Sequence, residues 1–222
     1  MPLAVFLAGG IFEPTANGGG LAGQLGIPYA AYPAIYSLRL AATAIAIALV
    51  WRPIRDWVGR TTWWPIPLGF VLVVPWIVLV MLQREAGWAV SAVERSGFNP
   101  FEQFAEGSAA AWGFFAVRAI GLVVIVPLVE ELFLRGFLMR YAIDEKFWKV
   151  PFGRLTLAST AACLIYAAAT HPAEALAAIS WFTVVSGIAV ATRRPIDTIL
   201  THAATNLALG AYVVATGNWW LL

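Results

Sequence analysis

The chain has 222 residues, of which 61% are hydrophobic and only 12% are charged. Soluble globular domains contain about 45–50% apolar residues, so this composition excludes an ordinary soluble domain and predicts a multi-span membrane protein. The net charge of +2 is small and scattered, which argues against a surface that binds nucleic acid. The single cysteine, Cys163, lies in an apolar stretch, so neither an internal disulfide nor a cysteine-based zinc site is expected.

The first part of the chain contains two predicted spans. Residues 1–12 are too short to cross a hydrocarbon core that needs about 20 apolar residues, so they predict a short or re-entrant segment. A glycine-rich stretch at residues 17–20 separates this segment from a span at residues 27–51. A second span is predicted at residues 63–82, which opens with the pair Trp63-Trp64, typical of a membrane interface.

The region from residue 83 to residue 107 is the most polar part of the chain. Its charged residues stand among aromatic ones, a pattern that predicts an amphipathic interfacial helix and a loop. Residues 108–141 then form a predicted helix that is too long for one straight span, and we expect it to bend near Pro127 or to emerge into water. Three further spans are predicted at residues 155–171, 173–191 and 196–216.

Together these elements predict an all-α fold, a polytopic transmembrane bundle of about seven helices (six to eight) with one interfacial helix. No repeat or linker divides the sequence, so a single integral membrane domain, residues 1–222, is expected. The basic residues concentrate in three of the predicted loops, which the positive-inside rule places in the cytoplasm. These residues are Arg52, Arg55 and Arg60, then Arg140, Lys146, Lys149 and Arg154, and finally Arg193 and Arg194.

Residues 129–135, Val-Glu-Glu-Leu-Phe-Leu-Arg, place three charges inside an otherwise apolar run. An ionised side chain in hydrocarbon costs at least ~2.5–3.5 kcal/mol, so these three side chains need partners, water or a function. Glu131 and Arg135 have the i, i+4 spacing of an ion pair on one helix face, which leaves Glu130 for another role. Taken alone, the stretch is equally well explained by a helix that reaches the membrane interface.

The two histidines of the chain, His171 and His202, lie in or at the ends of apolar spans. Asn206 follows His202 by four residues, which places both side chains on one helix face about a turn apart. Taken alone, this pair is also explained by a hydrogen bond between helices, worth roughly 0.6 kcal/mol on average in membranes.

The order Glu130-Glu131-x-x-x-Arg135, a later histidine and His202-x-x-x-Asn206 resembles that of the CAAX protease and bacteriocin-processing (CPBP, Abi) family of intramembrane endopeptidases. The resemblance covers about the last half of the chain, with the motifs in residues 108–216. The tail is also similar to the exosortase-associated, CAAX prenyl protease-related subset of that family. The middle motif departs from the family pattern of an aromatic residue, three further residues and a histidine, because Tyr166 precedes His171 by five positions and Thr170 takes the place expected for the histidine. Either the helix has a local bulge or the aromatic residue is not equivalent.

The resemblance implies a multi-pass peptidase of the bacterial inner membrane that hydrolyses a peptide bond near the end of a membrane-anchored or lipidated substrate. By similarity, Glu130 would be the general base, His171 would hold or polarise the water, and His202 and Asn206 would donate to the oxyanion. The supporting residues would be Glu131 and Arg135. No cofactor is implied; the expected partners are membrane lipid, the peptide substrate and, through the subset, exosortase-related proteins, but no nucleic acid.

Two other functions fit the same residues. Glu130, His171 and His202 form a set of two histidines and a carboxylate, as zinc enzymes use, although no His-Glu-x-x-His motif is present. A non-enzymatic membrane factor could also use the polar cluster to bind a peptide or a lipid without cleaving it. Ser186 beside Gly187 is better explained as helix packing than as a serine nucleophile.

Overall fold

The structure, a computed structural model, describes residues 1–88, 97–105 and 107–222. The regular structure in these ranges is helical and contains no strand, which confirms the predicted all-α class. In chain order the helices are α1 Pro2–Gly10, α2 Gly20–Gln24, α3 Tyr32–Leu49, α4 Trp51–Val58, α5 Pro65–Glu85, α6 Pro100–Gln103, α7 Ala109–Tyr141, α8 Leu157–Thr170, α9 Ala175–Thr192 and α10 Pro195–Thr216. Short 3-10 segments occur at Tyr29–Ala31, Phe147–Lys149, Pro172–Glu174 and Trp219–Leu221.

Among the described residues, five helices are long and apolar enough to cross a membrane. They are Tyr29–Leu49, Pro65–Glu85, Ala109–Tyr141, Pro172–Thr192 and Pro195–Thr216. Helix α8 is apolar but has only 14 residues, so at ~1.5 Å per residue it covers about 21 Å of a core about 30 Å thick. The predicted bundle is therefore present, with five full-length spans where about seven were expected.

Local sequence explains why α8 is shorter than the predicted span at residues 155–171. Thr156 caps its first turn, because the Thr156 hydroxyl accepts from the Ser159 N–H while the Ser159 hydroxyl accepts from the Thr156 N–H. At the other end Pro172 disfavours helical dihedrals for the residue before it. His171 accordingly leaves the helix, with φ −130° and ψ 56°.

Two segments between the spans compare differently with the sequence predictions. Residues 51–58, predicted as part of a loop, form helix α4. Part of the polar region predicted as an interfacial helix and a loop, residues 89–96 and residue 106, lies outside the described residues. The described part contains the end of α5 and the single turn α6.

The described residues divide into two compact units, and the prediction of a single domain stays a prediction. The first unit comprises residues 1–52, 97–105, 107–126 and 209–222. Within it α1 packs on α3, and Arg39 of α3 pairs with Glu13 at 2.6 Å and donates to the Phe6 carbonyl at 2.7 Å. Arg118 donates to the Phe98 carbonyl at 2.5 Å. Both arginines thus have partners that satisfy their guanidinium groups, as a structural role requires.

The second unit comprises residues 53–88 and 127–208 and holds every residue that the motifs identify. Its helix α10 lies close to α5, because a Cβ atom on Gly69 would come within 2.5 Å of the Thr201 carbonyl oxygen. Thr205 donates to the Gly69 carbonyl at 2.8 Å, which fixes the two helices in register. The buried Asp197 fixes the start of α10 by accepting from the Thr62 N–H at 2.8 Å and from both neighbouring threonine hydroxyls.

Close packing at Gly69 predicts the effect of adding one methyl group. Gly69→Ala should force α5 and α10 apart, at the ~1–3 kcal/mol typical of overpacking, and lower the thermal unfolding midpoint in detergent. Gly187→Ala is the matched control, since a Cβ there meets nothing within 4 Å. Alanine is favoured over glycine in helices by roughly 0.5–1 kcal/mol, so this control should be neutral or stabilising. Equal midpoints for the two variants would contradict the packing described here.

Candidate active site

The motif lies in a distinctive part of α7. A regular α-helical segment, Val126–Phe133, stands between two π-helical turns, Gly121–Ile125 and Leu134–Leu138. The first π turn precedes Pro127, whose ring would clash with the carbonyl four residues earlier in a regular α-helix, and the wider turn gives the ring room. Single π turns inside α-helices are frequent at functional sites.

Glu131 and Arg135 form the ion pair that their spacing predicts. The Arg135 guanidinium donates to both carboxylate oxygens of Glu131 at 2.5 Å, and its second terminal nitrogen donates to the Phe182 carbonyl at 2.9 Å. Both side chains are almost fully buried. The pair therefore neutralises two charges inside the bundle and ties α7 to α9.

His202 stands between the two glutamates. Its Nδ1 lies 3.2 Å from Glu131 Oε1, whereas its Nε2 lies 3.8 Å from Glu130 Oε2. Because a carboxylate only accepts, the hydrogen on the Nδ1 side belongs to the imidazole, and Nε2 is the nitrogen that faces Glu130. The indole of Trp181 packs edge-on against this ring with centroids 4.6 Å apart, and its N–H donates to Thr205. Glu131 and Trp181 together fix both the tautomer and the orientation of His202.

Glu130 is buried and accepts a hydrogen bond from the Tyr166 hydroxyl at 3.2 Å. Tyr166 comes from α8, which is a regular α-helix from Leu157 to Thr170, so the local bulge considered for the middle motif is not present. The helix ends at Thr170, so His171 lies just outside it. Tyr166 nevertheless reaches the motif glutamate, which makes it part of the site.

His171 occupies the end of α8 and is partly buried. The Thr170 hydroxyl donates to the Tyr166 carbonyl at 2.8 Å and lies 2.9 Å from His171 Nδ1. Since the hydroxyl hydrogen is already used, His171 Nδ1–H donates to Thr170 and the lone pair is on Nε2. The ring packs 5.6 Å from that of Phe182 and 5.9 Å from that of Trp76.

The described contacts therefore join Glu130, Glu131, Arg135 and His202 directly. Phe182 links this group to His171, because its carbonyl holds Arg135 and its ring contacts His171. Asn206 lies one turn beyond His202 on α10 and is partly buried.

Three contributors to the site were not identified from the sequence as site residues. Tyr166 holds Glu130, Trp181 packs on His202, and Asp197 anchors the helix that carries His202. Asp197 did carry a usable signal, since an acidic residue in an apolar span indicates a structural or functional requirement. The indole of Trp181 had no such signal, because tryptophan is common in membrane helices.

The geometry bears on the zinc alternative as well. Among residues 1–88, 97–105 and 107–222, no three side chains of His, Cys, Asp or Glu are arranged to hold a metal ion. The set Glu130, His171 and His202 therefore does not fit a zinc site in this arrangement.

Residues 112–221 match the family described as Rce1-like, type II CAAX prenyl endopeptidase Rce1-like. This part of the chain belongs to the CAAX protease family. The Rce1-like region contains every residue of the candidate site, and it confirms the family inferred from the motifs. The exosortase-associated subset stays a prediction. Neither the curated proteins nor the solved structures give a match. The chain is thus a multi-pass integral membrane protein with a region of a protease family.

The buried ion pair in this Rce1-like region predicts a double-mutant result. Arg135→Gln leaves Glu131 without its cation, and breaking a buried pair costs about 3–5 kcal/mol, so the unfolding midpoint should fall sharply. Glu131→Gln in the Arg135→Gln background removes the stranded charge and should recover much of that loss. Thermal unfolding of the two single variants and the double variant measures the coupling. Strictly additive losses would mean that the two side chains do not stabilise one another.

Proposed function

We propose that the chain is an intramembrane endopeptidase that cleaves a peptide bond near the end of a membrane-anchored, lipidated peptide. The observation that carries this proposal is the buried Glu130, with His202 Nε2 at 3.8 Å and the Tyr166 hydroxyl at 3.2 Å. The Rce1-like family description names a CAAX prenyl endopeptidase, so a prenylated C-terminal peptide is the proposed substrate class.

Glu130 is the proposed general base. The 3.8 Å between its Oε2 and His202 Nε2 exceeds a direct hydrogen bond, so one water can contact both groups. Glu130 takes a proton from this water as the water oxygen attacks the scissile carbonyl carbon. The same proton then passes to the leaving nitrogen as the carbon–nitrogen bond breaks, which yields a carboxylic acid and an amine. General acid–base catalysis of this kind contributes typically ~10²–10⁴-fold in rate.

His202 is the proposed donor to the oxyanion. Glu131 and Arg135 cancel each other's charge, and Glu131 holds the Nδ1 of His202, so Nε2 is the nitrogen that faces Glu130. An Nε2–H at this position would donate to the oxyanion that develops on the scissile carbonyl. Asn206, one turn further along α10, is the proposed second donor, and His171 is the proposed water-orienting group through Nε2.

Tyr166 positions the base. Its hydroxyl donates to Glu130 Oε1 and thereby turns Oε2 towards His202. The surrounding aromatic rings of Phe133, Phe182 and Trp181 limit water around these groups, which strengthens their electrostatic interactions.

The central experiment measures cleavage of an S-farnesylated peptide with a three-residue C-terminal extension by purified protein in lipid vesicles. Glu130→Gln keeps the size of the side chain and removes the base, so the cleavage rate should fall ~10²–10⁴-fold. Glu145→Gln makes the same chemical change at an exposed residue and should retain wild-type cleavage. Unfolding midpoints for both variants must remain close to that of the wild type.

Other results of this assay would separate the alternatives. Asn206→Ala should cost ~10²–10³-fold if the amide serves the oxyanion. Loss of cleavage with a strong chelator and its return with zinc would replace the metal-free mechanism by a zinc site. Binding of the peptide by the wild type without cleavage, unchanged in Glu130→Gln, would instead support a non-enzymatic peptide-binding factor.

A further inference from the structure

A second polar feature lies in the unit that holds the candidate site, and Arg135 borders it. A small cavity of about 10 Å³ is bounded by the end of α7, residues 153–155 and α9. Its walls include three arginines and one serine: Arg135, Arg140, Arg154 and Ser186. This volume holds a single water molecule or one oxygen atom of a larger group.

The charges around this cavity are not balanced. Arg140 is buried, yet none of the described carboxylates pairs with it or with Arg154. Arg140 donates instead to the neutral carbonyls of Val150 and Gly136, both at 2.8 Å. A buried cation without an anion is costly, so the wall of this cavity favours a negatively charged occupant.

Arg135 contributes a second, independent observation. Its Nε is buried and has no hydrogen-bond partner, although the two terminal nitrogens are used by Glu131 and Phe182. Unsatisfied buried donors are rare in folded proteins and call for a partner. Arg135 is 3% exposed and lines the cavity, so the unsatisfied donor belongs to a residue of the cavity wall.

The surroundings indicate what carries the negative charge. Arg154 and Leu155 are exposed, so the cavity adjoins the surface, and Leu157 beside them is 88% exposed. The exposed Trp148 packs on Phe147, whose ring contacts the Arg140 guanidinium, and tryptophan is typical of a membrane interface. A ligand with a negatively charged headgroup and an apolar chain could therefore contact the arginine with its headgroup and the neighbouring leucines with its chain.

We propose that Arg135, Arg140 and Arg154 bind the phosphate group of an anionic phospholipid, with one phosphate oxygen in the cavity. Arg154 contacts the exposed oxygens, while Leu155 and Leu157 contact the acyl chain. Gly153 shapes this site, because it has φ +79° and a Cβ there would lie 3.2 Å from the Val190 Cα and closer still to the Ala189 backbone. Basic pockets between transmembrane helices bind anionic headgroups in this way.

Native mass spectrometry of the purified wild-type protein with added phosphatidylglycerol tests the site, and it does not depend on the proposed protease activity. Arg154→Gln should weaken phosphatidylglycerol binding by about five-fold, the effect of one basic residue near an anionic headgroup. Lys149→Gln is the matched control, because it removes the same charge from the same loop without touching the cavity. It should leave binding unchanged, and phosphatidylcholine should bind more weakly than phosphatidylglycerol.

Two results would overturn this assignment. Equal losses in Arg154→Gln and Lys149→Gln would reduce the effect to general surface charge. Inorganic phosphate that displaces phosphatidylglycerol at matched concentration would show that the site takes a free phosphate rather than a lipid. Since Arg154 is exposed and none of the described residues forms an ion pair with it, folding of its variant should be unaffected, and an unchanged unfolding midpoint verifies this.

Discussion

The ion pair between Glu131 and Arg135 is the interaction on which the site depends. Apolar surroundings make every unpaired charge costly, so two acidic residues and an arginine in one helix require a complete set of partners. Arg135 satisfies Glu131 and binds the Phe182 carbonyl, while Glu131 in turn orients His202. Because this pair is neutral as a unit, Glu130 and the Nε2 of His202 remain for the proposed reaction. The chemistry proposed for the site follows from that separation of roles.

Most of the fold follows from apolar segment length, and the sequence predicts it well. Spans such as Pro65–Glu85 and Pro195–Thr216 are long apolar runs with clear interfacial or proline boundaries, which local reasoning locates to within a few residues. The ends of the shorter helix α8 are harder to predict from the sequence, because they depend on a cap at Thr156 and on the effect of Pro172 on the dihedral angles of His171. Helix α4 was missed because its eight residues are fewer than the roughly 11–18 over which helical periodicity is recognised in a sequence.

The candidate site was predictable where helical spacing alone decides the geometry. The i, i+4 pairing of Glu131 with Arg135 needs only one helix, and the structure contains it. Contacts between helices depend on rotations and depths that a sequence does not specify. The hydrogen bond from Tyr166 to Glu130 and the packing of Trp181 on His202 are of this kind. The spacing of the middle motif differs from the family pattern, which left open whether Tyr166 is equivalent to the aromatic residue of that pattern. In the structure α8 is regular up to Thr170, and Tyr166 contacts Glu130 of the motif.

The central claim is that Glu130 activates a water molecule that attacks the peptide carbonyl directly. Cleavage of a lipidated peptide in ¹⁸O-labelled water, followed by mass spectrometry of the products and of the protein, measures this step. Direct attack predicts one ¹⁸O atom in the new carboxylate after a single turnover, no acyl group on the protein, and no hydroxamate when hydroxylamine is present. An acylated protein or a hydroxamate product would contradict the account, because either requires a covalent nucleophile in place of water.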